Sequence, residues 1–163
     1  MNVFARVIRT FPPPRMLSMP GAGIDIGNSS VKAVSFRTHT GPCFLDSYTQ
    51  AELAEGVVVN GDIEKPDALV EVLRSFRLRE RIHAAHVSLP ERKAYLYQVL
   101  IPKSEKGDLH SAVEFSLESH VPIAPSEAVF DFEVVRTVEA GTIVSVTVFA
   151  RRVVSLYEEV FER

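Results

Sequence analysis

Cysteine is almost missing from this chain: Cys43 is the one such residue in 163 positions. No disulfide can therefore close within it, which suits a reducing compartment. A basic surplus is also lacking, because 18 Lys and Arg stand against 21 Asp and Glu for a formal net charge of −3. That balance argues against a general nucleic-acid binder, which would carry a basic face. Apolar runs stay far short of the roughly 18–20 residues that span a bilayer. The two common phosphate motifs are absent as well. Gly21, Gly23 and Gly27 miss the G-x-G-x-x-G spacing, the residues after Gly27 read as a strand and not a helix, and no G-x-x-x-x-G-K-[ST] occurs. Ser29 and Ser30 lie in no G-x-S-x-G elbow. His83 and His86 have no third ligand beside them in sequence, and Cys43 has no neighbouring His to activate it.

What is present is an ordinary globular composition, 46% hydrophobic and 24% charged, so a packed core is expected. The most informative stretch is Gly23-Ile24-Asp25-Ile26-Gly27-Asn28-Ser29-Ser30-Val31-Lys32-Ala33-Val34. An apolar strand carrying one acid leads into a turn of small residues and out into a second apolar strand. Such a turn exposes backbone N–H groups on one side and can cradle an anion. Asp25 sits at its mouth, where a carboxylate can hold a hydrated Mg²⁺ beside a phosphate. The same residues also suit a plain hairpin with a solvated Asp25, and the local pattern leaves both readings open.

The first twenty residues hold Arg6, Arg9 and Arg15, no acid, and Pro12-Pro13-Pro14. They read as a flexible basic leader, with contact to a membrane surface as the alternative. From Gly21 the pattern is strand, turn, strand, then a third strand from Cys43 to Leu53 and a short apolar run, Val57-Val58-Val59, closed by the turn dipeptide Asn60-Gly61. Pro66 opens a helix whose stripe is Leu69, Val72, Leu73 and Phe76, with Glu71, Arg74, Arg77 and Arg79 on a solvated face. Ala84 to Leu89 reads as a buried strand. A second unit begins near Glu91: a strand from Tyr95 to Ile101, then a helix with Ser104 as N-cap and the stripe Leu109, Ala112, Val113, Ser116, Leu117, His120. Strands from Val129 to Val138 and Thr142 to Ala150 come next, and a last amphipathic helix carries Val153, Leu156, Tyr157, Val160 and Phe161. Asp131 and Glu133 share a strand face and read as solvated.

Three segments together resemble the PilM family, the actin-like cytoplasmic proteins of type IV pilus assembly. They are Gly23 to Lys32, Glu55 to Leu69, and Ala112 to Ile123 continuing to Asp131-Phe132-Glu133-Val134. The resemblance is to the amino-terminal half of that family. It implies an α/β fold in two pieces. Residues 21–89 would form half of an actin-like nucleotide-binding subdomain, a mixed sheet with a phosphate hairpin. Residues 90–163 would form an inserted α+β subdomain of strand–helix–strand–strand (SHS2) type, shared with FtsA-like division proteins. It further implies ATP in the cleft, held at Gly27, Asn28, Ser29 and Ser30, with Lys32 near phosphate and Asp25 holding Mg²⁺ through water.

The implied function is a cytoplasmic ATP-binding scaffold, peripheral to the bacterial inner membrane, docking the short cytoplasmic tail of PilN; self-association is an open alternative and nucleic acid is not expected. Other classes to weigh are a sugar-kinase half or another actin-like phosphotransferase, and an FtsA-like division protein. The family's second phosphate loop lies beyond the insertion, and no second Asp-x-Gly turn occurs downstream here, so the sequence reads as a truncated or split half. Two or three amides on a phosphate, each worth roughly 1.5–3 kcal/mol, total about 3–9 kcal/mol. Association costs about 4 kcal/mol or more, so this half alone is expected to bind ATP no better than roughly millimolar and not to hydrolyse it.

Overall fold

Alternation decides the first sheet. In β1 (Gly21–Ile26) the side chains of Ala22, Ile24 and Ile26 are buried while Asp25 points to the opposite, exposed side, as a period of two requires. β2 (Ser30–Thr38) runs back antiparallel to β1, and β3 (Cys43–Glu52) runs antiparallel to β2. The registers Ile24↔Ala33 and Ala33↔Thr49 carry one buried face across all three strands. The computed structural model describes residues 21–38, 43–103 and 108–163; the basic leader and Ser104 lie outside them.

Joining a parallel neighbour to β1 needs a crossover. A two-residue-strand hairpin, β4 (Val58–Val59) and β5 (Asp62–Ile63), begins it, turning at Asn60 and Gly61 with φ of 51° and 84°. Those left-handed angles are the ones an Asn-Gly pair tolerates best. Helix α1 (Pro66–Glu80) completes the crossover. Pro66 occupies its first turn, where a missing N–H costs nothing, and Arg81 ends it with φ 52°. Leu69, Val70, Leu73 and Phe76 are buried. Val70 takes the place in the buried stripe expected for Val72, which is half-buried, so the apolar face is centred one step to the side. Each of these side chains contributes about 1.5–3 kcal/mol by leaving water.

β6 (Ala84–Ser88) then lies parallel to β1, giving the sheet order β3-β2-β1-β6. The expectation of a buried strand here is corrected. Among the described residues β6 is an edge strand, so Ala84, Ala85 and Val87 are half-buried and His86 and Ser88 are exposed. At the far edge, register shifts between Ser35 and Phe36: Ser35 faces Ser47, but Phe36 faces Leu45, leaving Asp46 as the extra residue of a bulge. Phe36, Leu45 and Tyr48 stay 51%, 62% and 58% exposed.

The described residues divide into two compact units, the second running from Pro90 to Arg163. Its order is β7 (Tyr95–Pro102), α2 (Leu109–His120), β8 (Ala128–Val138), β9 (Gly141–Ala150) and α3 (Arg151–Glu162), with short 3-10 turns at Glu91–Lys93 and Pro125–Glu127. The position before α2 is Asp108, which makes no side-chain cap bond. The sheet order β7-β9-β8 puts β9 in the centre. Its Val144, Val146 and Val148 are fully buried and form a core with Ile101, Val113, Leu117, Val121 and Ala128, while Ile143, Ser145 and Thr147 alternate to the other face. Arg151 ties the start of α3 to the start of β8, donating from Nε to the Ser126 carbonyl at 3.3 Å and from an Nη to the Ala128 carbonyl at 3.0 Å. No helix among the described residues is long and apolar enough to cross a membrane.

Candidate functional site

The exposed face of the first sheet carries a polar row at its hairpin end. Asp25 stands opposite Lys32 on β2 and opposite Ser88 on β6, and Lys32 stands opposite Gln50 on β3. All four share one face because each pairs directly across a ladder. All four are exposed. Asp25 owes its direction to its neighbours Ile24 and Ile26, whose burial on the other face leaves it nowhere else to point.

Asp25 is also held. The Ser88 hydroxyl donates to Asp25 Oδ1 at 3.0 Å, and Ser88 Oγ lies 3.4 Å from the Ile24 carbonyl oxygen. A serine has one proton to give, and the shorter contact to an ionised acceptor is the stronger. Asp25 Oδ2 makes no hydrogen bond among the described residues.

The bend between β1 and β2 is pinned from two sides. Gly27 N–H donates to the Ser30 carbonyl at 2.9 Å, closing the hairpin, and Leu53 N–H donates to the Ser29 carbonyl at 2.8 Å. The N–H groups of Asn28 and Ser29 donate to no backbone acceptor among the described residues, and both residues are exposed. Two amides, not the whole turn, are therefore available. Gly27 differs from expectation here: its amide is engaged within the hairpin and offers nothing outward. Ser30 is half-buried and already part of β2.

The donor set is one carboxylate with an open oxygen, one ammonium and two amides. Among the described residues no group of three or more His, Cys, Asp or Glu gathers to hold a metal. One carboxylate beside phosphate oxygens is nonetheless the ligand set Mg²⁺ prefers, since the ion keeps most of its waters. His83 and His86 lie on opposite sides of the start of β6 and form no metal group. The Cys43 backbone belongs to β3. Asp131 and Glu133 are exposed on β8, with Asp131 Oδ1 accepting from Phe132 N–H at 2.8 Å.

Sequence reading placed Asp25, Lys32 and the bend in one site and missed Ser88 and Gln50. Both arrive through strand pairing, Ser88 from 63 positions away. The only local signal for Ser88 is a hydroxyl closing a short apolar run just before Leu89-Pro90.

Comparison with known proteins bears on the family and the fold. A family model described as type IV pilus assembly protein PilM matches residues 23–157. Among solved structures, the chain is similar to a PilM–PilN type IV pilus biogenesis complex, with a TM-score of 0.76 and 23% identity over 88% of this chain. It is also similar to the cytoplasmic domain of EpsL, an inner membrane component of the type II secretion system of Vibrio cholerae, with a TM-score of 0.55 and 12% identity over 86% of this chain. The chain spans 44% and 51% of the length of those two structures. No curated protein matches it.

Proposed function

Since this chain belongs to the PilM family of type IV pilus assembly proteins, we propose that it is part of an ATP-binding scaffold that docks the cytoplasmic tail of a PilN-like protein at the inner face of the inner membrane. The PilM–PilN complex among its structural relatives supports that choice of partner. The family match lends no support to the sugar-kinase or FtsA-like alternatives.

One observation carries the nucleotide side of the reading: Asp25 and Lys32 share one sheet face at the end where the hairpin turns, and the amides of Asn28 and Ser29 in that turn donate to no backbone acceptor among the described residues. When bound, Mg²⁺-ATP supplies a triphosphate whose charge the cation partly neutralises. Asn28 and Ser29 N–H would donate to phosphate oxygens, and the Lys32 ammonium would add a nearby positive charge. Asp25 would hold a water of the hydrated cation through its open oxygen. Two amides at roughly 1.5–3 kcal/mol each give about 3–6 kcal/mol, close to the entropic cost of association, so tight binding needs further contacts. The role assigned to nucleotide is to set the shape of a docking platform. Gly27 contributes by the absence of a side chain, not by its amide.

The test is a titration of the full-length protein with Mg²⁺-ATP and with a PilN tail peptide. Peptide affinity that rises with nucleotide, and that loses this dependence in Asp25→Ala, is the expected result. A peptide that fails to bind at high micromolar concentration overturns the pilus reading, and full Mg²⁺-ATP affinity in Asp25→Ala overturns the nucleotide site.

A further inference from the structure

We propose that Ser88 is a positioning residue for Asp25, orienting its carboxylate so that Oδ2 addresses the hydrated cation; the inference rests on the reading that Asp25 serves a Mg²⁺-nucleotide site. An aspartate has a broad χ2 well, so an exposed carboxylate samples many orientations unless something holds it. Here the holding group is identified. Ser88 Oγ–H donates to Asp25 Oδ1 at 3.0 Å, from the strand paired in parallel with β1 at the register Asp25↔Ser88. Burial of Ile24 on the other face fixes where the Asp25 Cβ stands, and the hydroxyl fixes how the carboxylate turns about it. The hydroxyl keeps acceptor capacity after giving its proton. It can therefore accept from a water of the cation that Asp25 also holds, so that two strands grip one hydration shell. This makes the end of β6 part of the site.

Outer-shell partners of a metal site typically change metal affinity by about 10–100-fold when removed. Ser88 is exposed, and water competes with its bond, so about tenfold is expected. The experiment measures ATP affinity of the full-length protein with Mg²⁺ and with chelator, for the wild type, Ser88→Ala, Ser88→Thr and Asp25→Ala. Ser88→Ala should lower affinity about tenfold in Mg²⁺ and leave affinity in chelator unchanged, and Ser88→Thr should restore it. In the protein without nucleotide, the Asp25 ¹³Cγ resonance should move in Ser88→Ala and return in Ser88→Thr. Asp25→Ala separates the two ideas. If it keeps Mg²⁺-dependent affinity, the underlying site is wrong. If it loses that affinity while Ser88→Ala keeps it, only the role of Ser88 is overturned. Equal losses in Ser88→Ala and Ser88→Thr, with a matching fall in melting temperature, also overturn that role, because they report damage to β6.

Discussion

The imidazole of His120 lies flat on the phenol ring of Tyr97, with centroids 4.4 Å apart and planes 7° from parallel. His120 Nδ1 is 2.8 Å from the Ser116 carbonyl, so that nitrogen carries the proton and donates. Ser116 Oγ donates to the Val113 carbonyl at 2.7 Å, which makes the Tyr97 hydroxyl the donor in its 3.0 Å bond to Ser116 Oγ. The end of α2 is thus stitched to β7 by one stack and one hydrogen bond. His120→Ala should cost about 1 kcal/mol, Tyr97→Leu, which removes both the stacked ring and the hydroxyl, about 1–3 kcal/mol, and the double variant less than their sum. Urea unfolding of the four proteins measures this, and strict additivity would show that the two residues act independently.

Leu117 and Phe115 make a contrast two residues apart on the same helix. Leu117 is 0% exposed in the core of the second unit, whereas Phe115 is 79% exposed. Leu117→Ala should destabilise by about 2–5 kcal/mol, since the surrounding core closes the resulting cavity only in part. Phe115→Ala should change stability by no more than about 0.5 kcal/mol. A shift of denaturation midpoint in the first and none in the second is the expected outcome.

Gly141 begins β9 beside the end of β7. A Cβ at that position would overlap the Ile101 carbonyl oxygen and stand 3.0 Å from Pro102 Cα. Both obstacles are backbone, so nothing can rotate aside. Gly141→Ala is expected to destabilise by about 3 kcal/mol or more, read as a lowered melting temperature or a loss of soluble protein. A melting temperature equal to that of the wild type would refute the close approach.

Gly27 gives the opposite case. A methyl there meets only the Ser30 carbonyl oxygen at 3.4 Å, an ordinary contact. Gly27→Ala should therefore fold with unchanged stability. Mg²⁺-ATP affinity should fall by about tenfold or more if phosphate passes close to that backbone. Unchanged affinity together with unchanged stability would remove Gly27 from the site.

Much of this was legible from period and punctuation. The β1–β2 hairpin announces itself by apolar alternation around Gly27-Asn28-Ser29, and Pro66 and the Leu69–Leu73–Phe76 spacing mark α1. In β9 the alternation of Val144, Val146 and Val148 with Ile143, Ser145 and Thr147 is the pattern of a half-buried strand. Partnerships made by strand pairing were not. Ser88 meets Asp25 only because the crossover lays β6 parallel to β1, and no local pattern encodes that register. The short apolar run of β6 looks the same whether the strand is central or at an edge, so its exposure was misjudged. The engagement of the Gly27 amide was also hidden, because composition shows which residues can turn but not which N–H closes the turn.

The bulge at Asp46 has a reach beyond its own position. An uninterrupted ladder would set Asp46 across from Phe36. The spare residue slips the register by one, so a greasy pair, Phe36 with Leu45, is displayed where an acid would otherwise stand. What this margin shows to the world is thus written in reading-frame arithmetic. A relative with the same letters but a straight run of partners would bear a carboxylate there, redecorated without any substitution.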